Sequence, residues 1–203
     1  MQTKYSYWLF KDAIPEKDRN KIKGIADKSG YKESQTEDQF PTNEERNKYK
    51  DNEIRNSSTT FSSDQYLYDT FCPFVGSANE QAGWRYDLNC FETVQIARYE
   101  KNQHNSWHRD GAGDHFGVFG DDFKEIAGKV RKISLVACLS NGYVGGDLEL
   151  ALQEQKRDNE ILHPEMKMGD VIVFPSYIFH RSTPITKGIK YSLTMWCLGP
   201  PFR

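Results

Sequence analysis

The stretch Trp107-His108-Arg109-Asp110-Gly111 carries an imidazole and a carboxylate two residues apart. Residues i and i+2 of a β-strand point to the same face, so on a strand these two side chains offer a nitrogen and an oxygen to one point. A His-x-Asp pair alone is weak, because such a pair arises readily by accident. A metal site needs a third ligand from elsewhere in the chain, and His180 is the candidate. A Gly169-Asp170 turn feeds the apolar run Val171-Ile172-Val173-Phe174, Pro175 ends it, and the chain returns with His180 at the head of the next strand.

Two imidazoles and one carboxylate on one face of a metal, with open positions opposite, form the ligand set of non-haem Fe(II) oxygenases. Ten residues beyond His180, Lys190 and Ser192 share one face of a long strand, and Tyr191, Leu193 and Met195 share the other. An ammonium directed into an apolar interior is costly unless an anion meets it. A dicarboxylate co-substrate would supply that anion. His104, four residues before His108, would suit a helix-borne zinc pair, but Asn102, Gln103, Asn105 and Ser106 are poor helix formers. It is placed at the mouth of the site with Trp107. Arg98 is a substrate-side candidate, His163 a surface residue at a strand end, and Arg181 a structural neighbour of His180.

The elements that must position these groups begin with a short strand over Tyr5–Phe10 and a helix over Glu16–Lys28, opened by Pro15 and stopped at Gly30. Residues 33–56 are polar and read as a loop. Thr59–Phe61 reads as an edge strand. Ser62 or Ser63 caps a helix that Pro73 should divide in two, the second part ending near Gly83. From residue 84 the texture turns to strands separated by Gly, Asn and Asp. They cover Phe91–Tyr99, Ser106–Asp110, Lys132–Leu139, Asp147–Ala151, Glu160–His163, Val171–Phe174, Phe179–Ser182 and Ile189–Leu198. Short strands with tight turns suggest antiparallel sheets in a sandwich or barrel, of which the jelly roll is the eight-strand form. The long Gly- and Asp-rich interruption over 111–128, directly after His108 and Asp110, is expected to be a lid, with Gly111 as its hinge and His115 within it. Gly145-Gly146 mark a tight turn with close backbone approach.

Composition narrows the class. The 203 residues fit one domain with a full core. Lys+Arg 27 against Asp+Glu 29 leaves no excess that would ask for a nucleic-acid backbone or an anionic membrane. Cys72, Cys90, Cys138 and Cys197 are far apart in the sequence, so no zinc knuckle or redox pair is written. The start of the chain has neither signal-peptide nor membrane-span character, which makes the cytoplasm the expected compartment.

Tyr99, His108-Arg109-Asp110, Tyr143-Val144-Gly145-Gly146-Asp147-Leu148, Gly169-Asp170 and His180 through Ser192 resemble the 2-oxoglutarate- and Fe(II)-dependent dioxygenases. The nearest likeness is to the prolyl 4-hydroxylase-like branch, with its bacterial and viral members. It covers roughly residues 90–198 and is weaker over the N-terminal helices. The resemblance implies a mainly β protein with flanking helices: a double-stranded β-helix (jelly-roll) core over 84–203, an α-helical or irregular N-terminal part over 1–83, and a single domain over 1–203. It implies iron held by His108, Asp110 and His180. Lys190 would pair with the distal carboxylate of 2-oxoglutarate, assisted by the Tyr99 hydroxyl and by Ser192. Fe(II), 2-oxoglutarate as co-substrate and O2 are the implied cofactors, with ascorbate as a supporting reductant. An intact Asp110 disfavours a halogenase.

The expected activity is hydroxylation of an unactivated C–H, in a prolyl or other residue of a peptide or protein, with release of succinate and CO2. The rivals are a free-amino-acid hydroxylase, a nucleic-acid demethylase, and a jelly-roll binding module with vestigial metal residues. The charge balance argues against the nucleic-acid rival, and the complete set His108, Asp110, His180 and Lys190 argues against the vestigial one. Residue types leave the substrate and the oligomeric state open.

Overall fold

The structure is a computed structural model that describes residues 5–34, 55–111, 119–120, 125–152 and 161–202. Most of the expected lid, including His115, lies outside the described residues, as does most of the polar stretch 33–56.

The long apolar runs form the centre of an eight-stranded antiparallel sheet. Val171–Pro175 (β12), Val130–Cys138 (β8), Lys190–Gly199 (β15) and Val94–Tyr99 (β6) lie side by side in that order. Both faces of these strands are covered, which is why they read as near-continuous apolar sequence. Val171 and Val173 face the helices, whereas Ile172 and Phe174 face a second sheet.

The N-terminal part is woven into the main sheet. Trp8–Phe10 (β1) pairs with β12, Ser58–Ser62 (β4) pairs with β6, and Lys32–Glu33 (β2) pairs with β4. Cys90–Phe91 (β5) pairs with β15. The second sheet runs Ile161–Leu162 (β11), Leu148–Ala151 (β10), Phe179–Ser182 (β13), His104–His108 (β7), Arg55–Asn56 (β3). Val144–Gly145 (β9) and Ile185–Lys187 (β14) make a separate pair. The two sheets close on Leu148, Leu150, Ile172, Phe174 and Ile178. This is the expected jelly-roll core.

Helix α1 (Glu16–Ser29) begins after Pro15 and stops at Gly30, whose φ of 75° suits glycine. Helix α2 (Gln65–Gln81) corrects two expectations. Its cap is Asp64, whose carboxylate accepts from Tyr66 N at 3.0 Å, while Ser62 accepts from Asp64 N. Pro73 does not divide it. A proline inside a helix costs about 3 kcal/mol. Leu67, Phe71, Val75 and Ala78 are fully buried on one side of α2 and hold the helix together across the proline. With Ile22 and Ala26 of α1 they cover the outer face of the main sheet.

The short strands β2, β3, β9 and β14 were not legible as strands, and the expected strand Phe91–Tyr99 is divided into β5 and β6. The pairing of such short segments comes from neighbours far along the chain.

Candidate metal centre

Antiparallel pairing of β7 with β13 sets His108 directly opposite His180. Their ring centroids are 4.1 Å apart. β7 ends at His108, so Asp110 is not on the strand as expected. It sits on a bend whose Asp110 and Gly111 N–H groups both donate to Ser176 O, at 3.1 Å each. That bend still turns the carboxylate to the imidazoles. His108 Nε2 is 3.5 Å from Asp110 Oδ1, and His180 Nε2 is 3.6 Å from Asp110 Oδ2. One ligand atom from each of the three residues lies within 4.8 Å of the others.

Both rings are held in the tautomer a metal needs. His108 Nδ1 donates to Ser106 O at 2.8 Å, and His180 Nδ1 donates to Ile178 O at 3.0 Å. A carbonyl only accepts, so each Nδ1 carries a proton, and in a neutral ring this leaves the Nε2 lone pair for a metal. Burial presses the Asp110 pKa upward, but His180, His108 and Arg131 outweigh it and hold the carboxyl well below the usual range. Burial and the neighbouring His108 lower His180 to about 4, against the opposite pull of Asp110 and the Ile178 carbonyl. At neutral pH, Asp110 is therefore an anion and His180 a neutral donor, which is the state that binds a divalent cation.

Residues that sequence reasoning missed orient this carboxylate. Ser134 Oγ donates to Asp110 Oδ2 at 2.7 Å, and Ser176 Oγ stands 2.9 Å from Ser134 Oγ. With its proton given to Asp110, Ser134 accepts from Ser176. Arg131 Nη1 donates to the Asp110 carbonyl at 3.3 Å, and the guanidinium grips Glu92 with two bonds of 2.6 Å. The one available signal was a serine interrupting the apolar run Ile133-Ser134-Leu135.

Lys190 lies opposite Tyr99 across the β15–β6 pairing. It is 7% exposed, and its Nζ donates to Gly146 O at 2.5 Å and to Ser182 Oγ at 3.1 Å. Burial lowers its pKa. Among the described residues no carboxylate forms an ion pair with it, so its charge faces neutral acceptors. Gly146, at φ 69°, permits the close approach: a Cβ there would meet Ile185 Cδ1 at 2.4 Å and Lys190 Cδ at 3.0 Å. Tyr99 and Ser192 are buried beside it. His108, Asp110, His180, Tyr99, Lys190 and Ser192 all line one cleft of about 1150 Å³.

Of the other candidates, His163 and Arg181 line the same cleft but bind Glu149, whereas His104 and Arg98 do not line it. His104 Nδ1 reaches Asn102 O at 3.4 Å. His163 lies 3.6 Å from Glu149, which Arg181 binds at 2.6 Å. Arg98 pairs with Glu100 on the surface and does not line the cleft.

Residues 94–198 match the family model of the 2OG-Fe(II) oxygenase superfamily, and the chain belongs to that superfamily. A PKHD-type hydroxylase of Xylella fastidiosa (strain M12) is 29% identical over 99 residues, or 49% of this chain. The match spans 41% of that curated relative's length. Among solved structures, the viral collagen prolyl hydroxylase of Paramecium bursaria Chlorella virus-1, in complex with 2-oxoglutarate, is 19% identical with a TM-score of 0.63, covering 96% of this chain and 97% of its own. A prolyl-4-hydroxylase of Pseudomonas putida is 17% identical with a TM-score of 0.65, covering 95% and 92%. A Trichoplax adhaerens prolyl hydroxylase in complex with a hypoxia-inducible-factor peptide gives 14% and 0.67, covering 95% and 83%. These likenesses establish the jelly-roll fold. Fe(II) and 2-oxoglutarate are the metal and co-substrate of the superfamily. The local chemistry fits both: a neutral-imidazole and carboxylate donor set for the metal, and a buried ammonium without a carboxylate partner among the described residues for the dicarboxylate.

Proposed function

We propose that this protein is a 2-oxoglutarate-dependent hydroxylase acting on a prolyl, or another, residue of a peptide or protein. The observation that carries it is the pairing, in one cleft, of two Nε2 lone pairs and the Asp110 carboxylate with the buried Lys190 ammonium. The prolyl hydroxylases among the structural neighbours support a peptidyl substrate. The balance is R–H + 2-oxoglutarate + O2 → R–OH + succinate + CO2.

His108, Asp110 and His180 hold Fe(II), which when bound supplies the oxidising chemistry that breaks the C–H bond. The Asp110 charge would offset part of the metal's own. Lys190 binds the distal carboxylate of 2-oxoglutarate as a point charge, with Tyr99 and Ser192 beside it. The low-dielectric walls around Lys190 strengthen that attraction. Ser134 and Ser176 keep Asp110 oriented, and the packed sheets exclude water from the base of the cleft. The chain acts as one domain, since β1, β2, β3 and β4 from its N-terminal part belong to the sheets that carry the site.

The test is succinate formation from 2-oxoglutarate with Fe(II) and ascorbate, with and without a proline-rich peptide. Peptide-stimulated succinate with a 16-Da gain on the peptide is the expected result. Stimulation by free proline alone would favour an amino-acid hydroxylase. No turnover, with no Fe(II) bound, would overturn the enzyme reading.

A further inference from the structure

Asn105 stands on β7, three residues before His108. Its Oδ1 is buried without a hydrogen-bond partner among the described residues. Its Nδ2 lies 3.3 Å from His108 Nε2. With His108 Nδ1 donating and the ring neutral, as a metal ligand must be, Nε2 is the acceptor of that contact and the carboxamide N–H its donor.

This contact is incompatible with metal binding, because the lone pair it uses is the one a metal takes. With His108 Nε2 given to a metal, Asn105 Nδ2 loses this contact, while Oδ1 already has no partner among the described residues. A ligand that arrives beside the metal and offers an acceptor restores a partner to the N–H.

The sheet register says which ligand. Asn105 is opposite Ser182 across the β7–β13 pairing. Ser182 Oγ accepts from Lys190 Nζ at 3.1 Å. Asn105 therefore lies beside the metal-ligating nitrogen of His108 and, across the sheet, opposite the residue that binds the Lys190 ammonium, and all of them line the same cleft. An α-keto dicarboxylate presents carboxylate oxygens beside the metal, where the freed N–H is.

We propose that Asn105 is a further binding residue for 2-oxoglutarate, its carboxamide donating to the carboxylate at the keto end. The proposal rests on the function inferred above.

The test uses the full chain without oxygen. Wild type, Asn105→Ala, Asn105→Asp and Asn105→Ser are titrated with Fe(II) alone. They are then titrated with 2-oxoglutarate, following the visible charge-transfer absorbance of the iron–keto-acid chelate. Loss of one hydrogen bond to a charged group predicts about tenfold weaker 2-oxoglutarate binding in Asn105→Ala. Asn105→Asp is weaker still, because it sets carboxylate against carboxylate, and Fe(II) affinity does not fall in the Ala and Ser variants, which lack the contact that competes with the metal for His108 Nε2. Asn105→Ser reads the same loss if the alanine variant does not fold. Wild-type 2-oxoglutarate affinity in Asn105→Ala or Asn105→Ser overturns the proposal. So does a parallel loss of Fe(II) affinity, which would make Asn105 only a support for His108. Absence of the absorbance in wild type itself overturns the functional reading instead.

Discussion

Asp110 keeps its charge in a buried place because Ser134 donates to its carboxylate and the Arg131 guanidinium lies close by. The hydroxyl fixes which way the carboxylate turns, and supports of this kind are worth roughly 10–100-fold in metal affinity. Ser134→Ala is expected to weaken Fe(II) binding by about tenfold with the fold intact, measured by metal titration alongside circular dichroism. Unchanged affinity would mean that the bend alone orients Asp110. At the other end of the cleft, Lys190→Ala is expected to raise the 2-oxoglutarate concentration for half-maximal succinate formation by about tenfold or more, since a charge-assisted bond carries about 1.5–3 kcal/mol. A variant with an unaltered requirement would remove Lys190 from the co-substrate site. His108, Asp110, His180 and Lys190 were legible because their chemistry is written in residue type and local spacing. Ser134, Ser176 and Asn105 were not, since serine and asparagine are common everywhere and acquire a role only from what folds against them.

At the scale of elements, the turn before β12 joins the two ends of the chain's architecture. Asp170 accepts from Asp12 N at 2.8 Å, from Lys167 N at 2.9 Å and from Lys11 Nζ at 3.1 Å. It thereby ties the segment between β1 and α1 to the strand that leads towards His180. Burial pushes its pKa up, but the Asp12 and Lys167 N–H groups and Lys11 outweigh it and hold it below the ordinary carboxylate value. A carboxyl with a depressed folded pKa contributes stability that is complete above its unfolded pKa, near 4, and is lost as pH falls through the folded value. Stability against urea is therefore expected to fall more steeply below about pH 4 in wild type than in Asp170→Asn. The variant is expected to lose about 1–3 kcal/mol at neutral pH. Identical pH profiles would show that Asp170 is not a determinant of acid stability. The helices teach a different lesson. Glycine and proline signals located both ends of α1, whereas Pro73 misled within α2. Local propensity sets a cost of a few kcal/mol, and the buried row Leu67, Phe71, Val75 and Ala78 exceeds it.

At the scale of the molecule, the site joins segments that the chain keeps far apart. β7 supplies His108, the bend after it Asp110, and β13 His180, so a metal would cross-link the second sheet to the bend anchored on Ser176. A ligand that binds only the folded state stabilises it by mass action, about 2.7 kcal/mol at 100 times its Kd. For a chain of this size that is roughly a 5–10 °C rise in Tm. Fe(II) added anaerobically is expected to raise the wild-type Tm by that amount and to leave His180→Ala unmoved. An equal shift in the variant would place the metal elsewhere.

From the sequence alone came the donor types, their order along the chain, the strand-rich second half and the buried character of its central strands. All of these follow from side-chain chemistry and from periodicity within a few residues. Tertiary structure alone decided that Asp110 leaves the strand and hangs from Ser176, that Ser134 orients it, that the N-terminal strands complete the main sheet, and that Asn105 reaches His108 and lies opposite Ser182. Each of these depends on a distance between positions remote in sequence. Such distances are set by the register of one strand against another, and no local pattern carries that information.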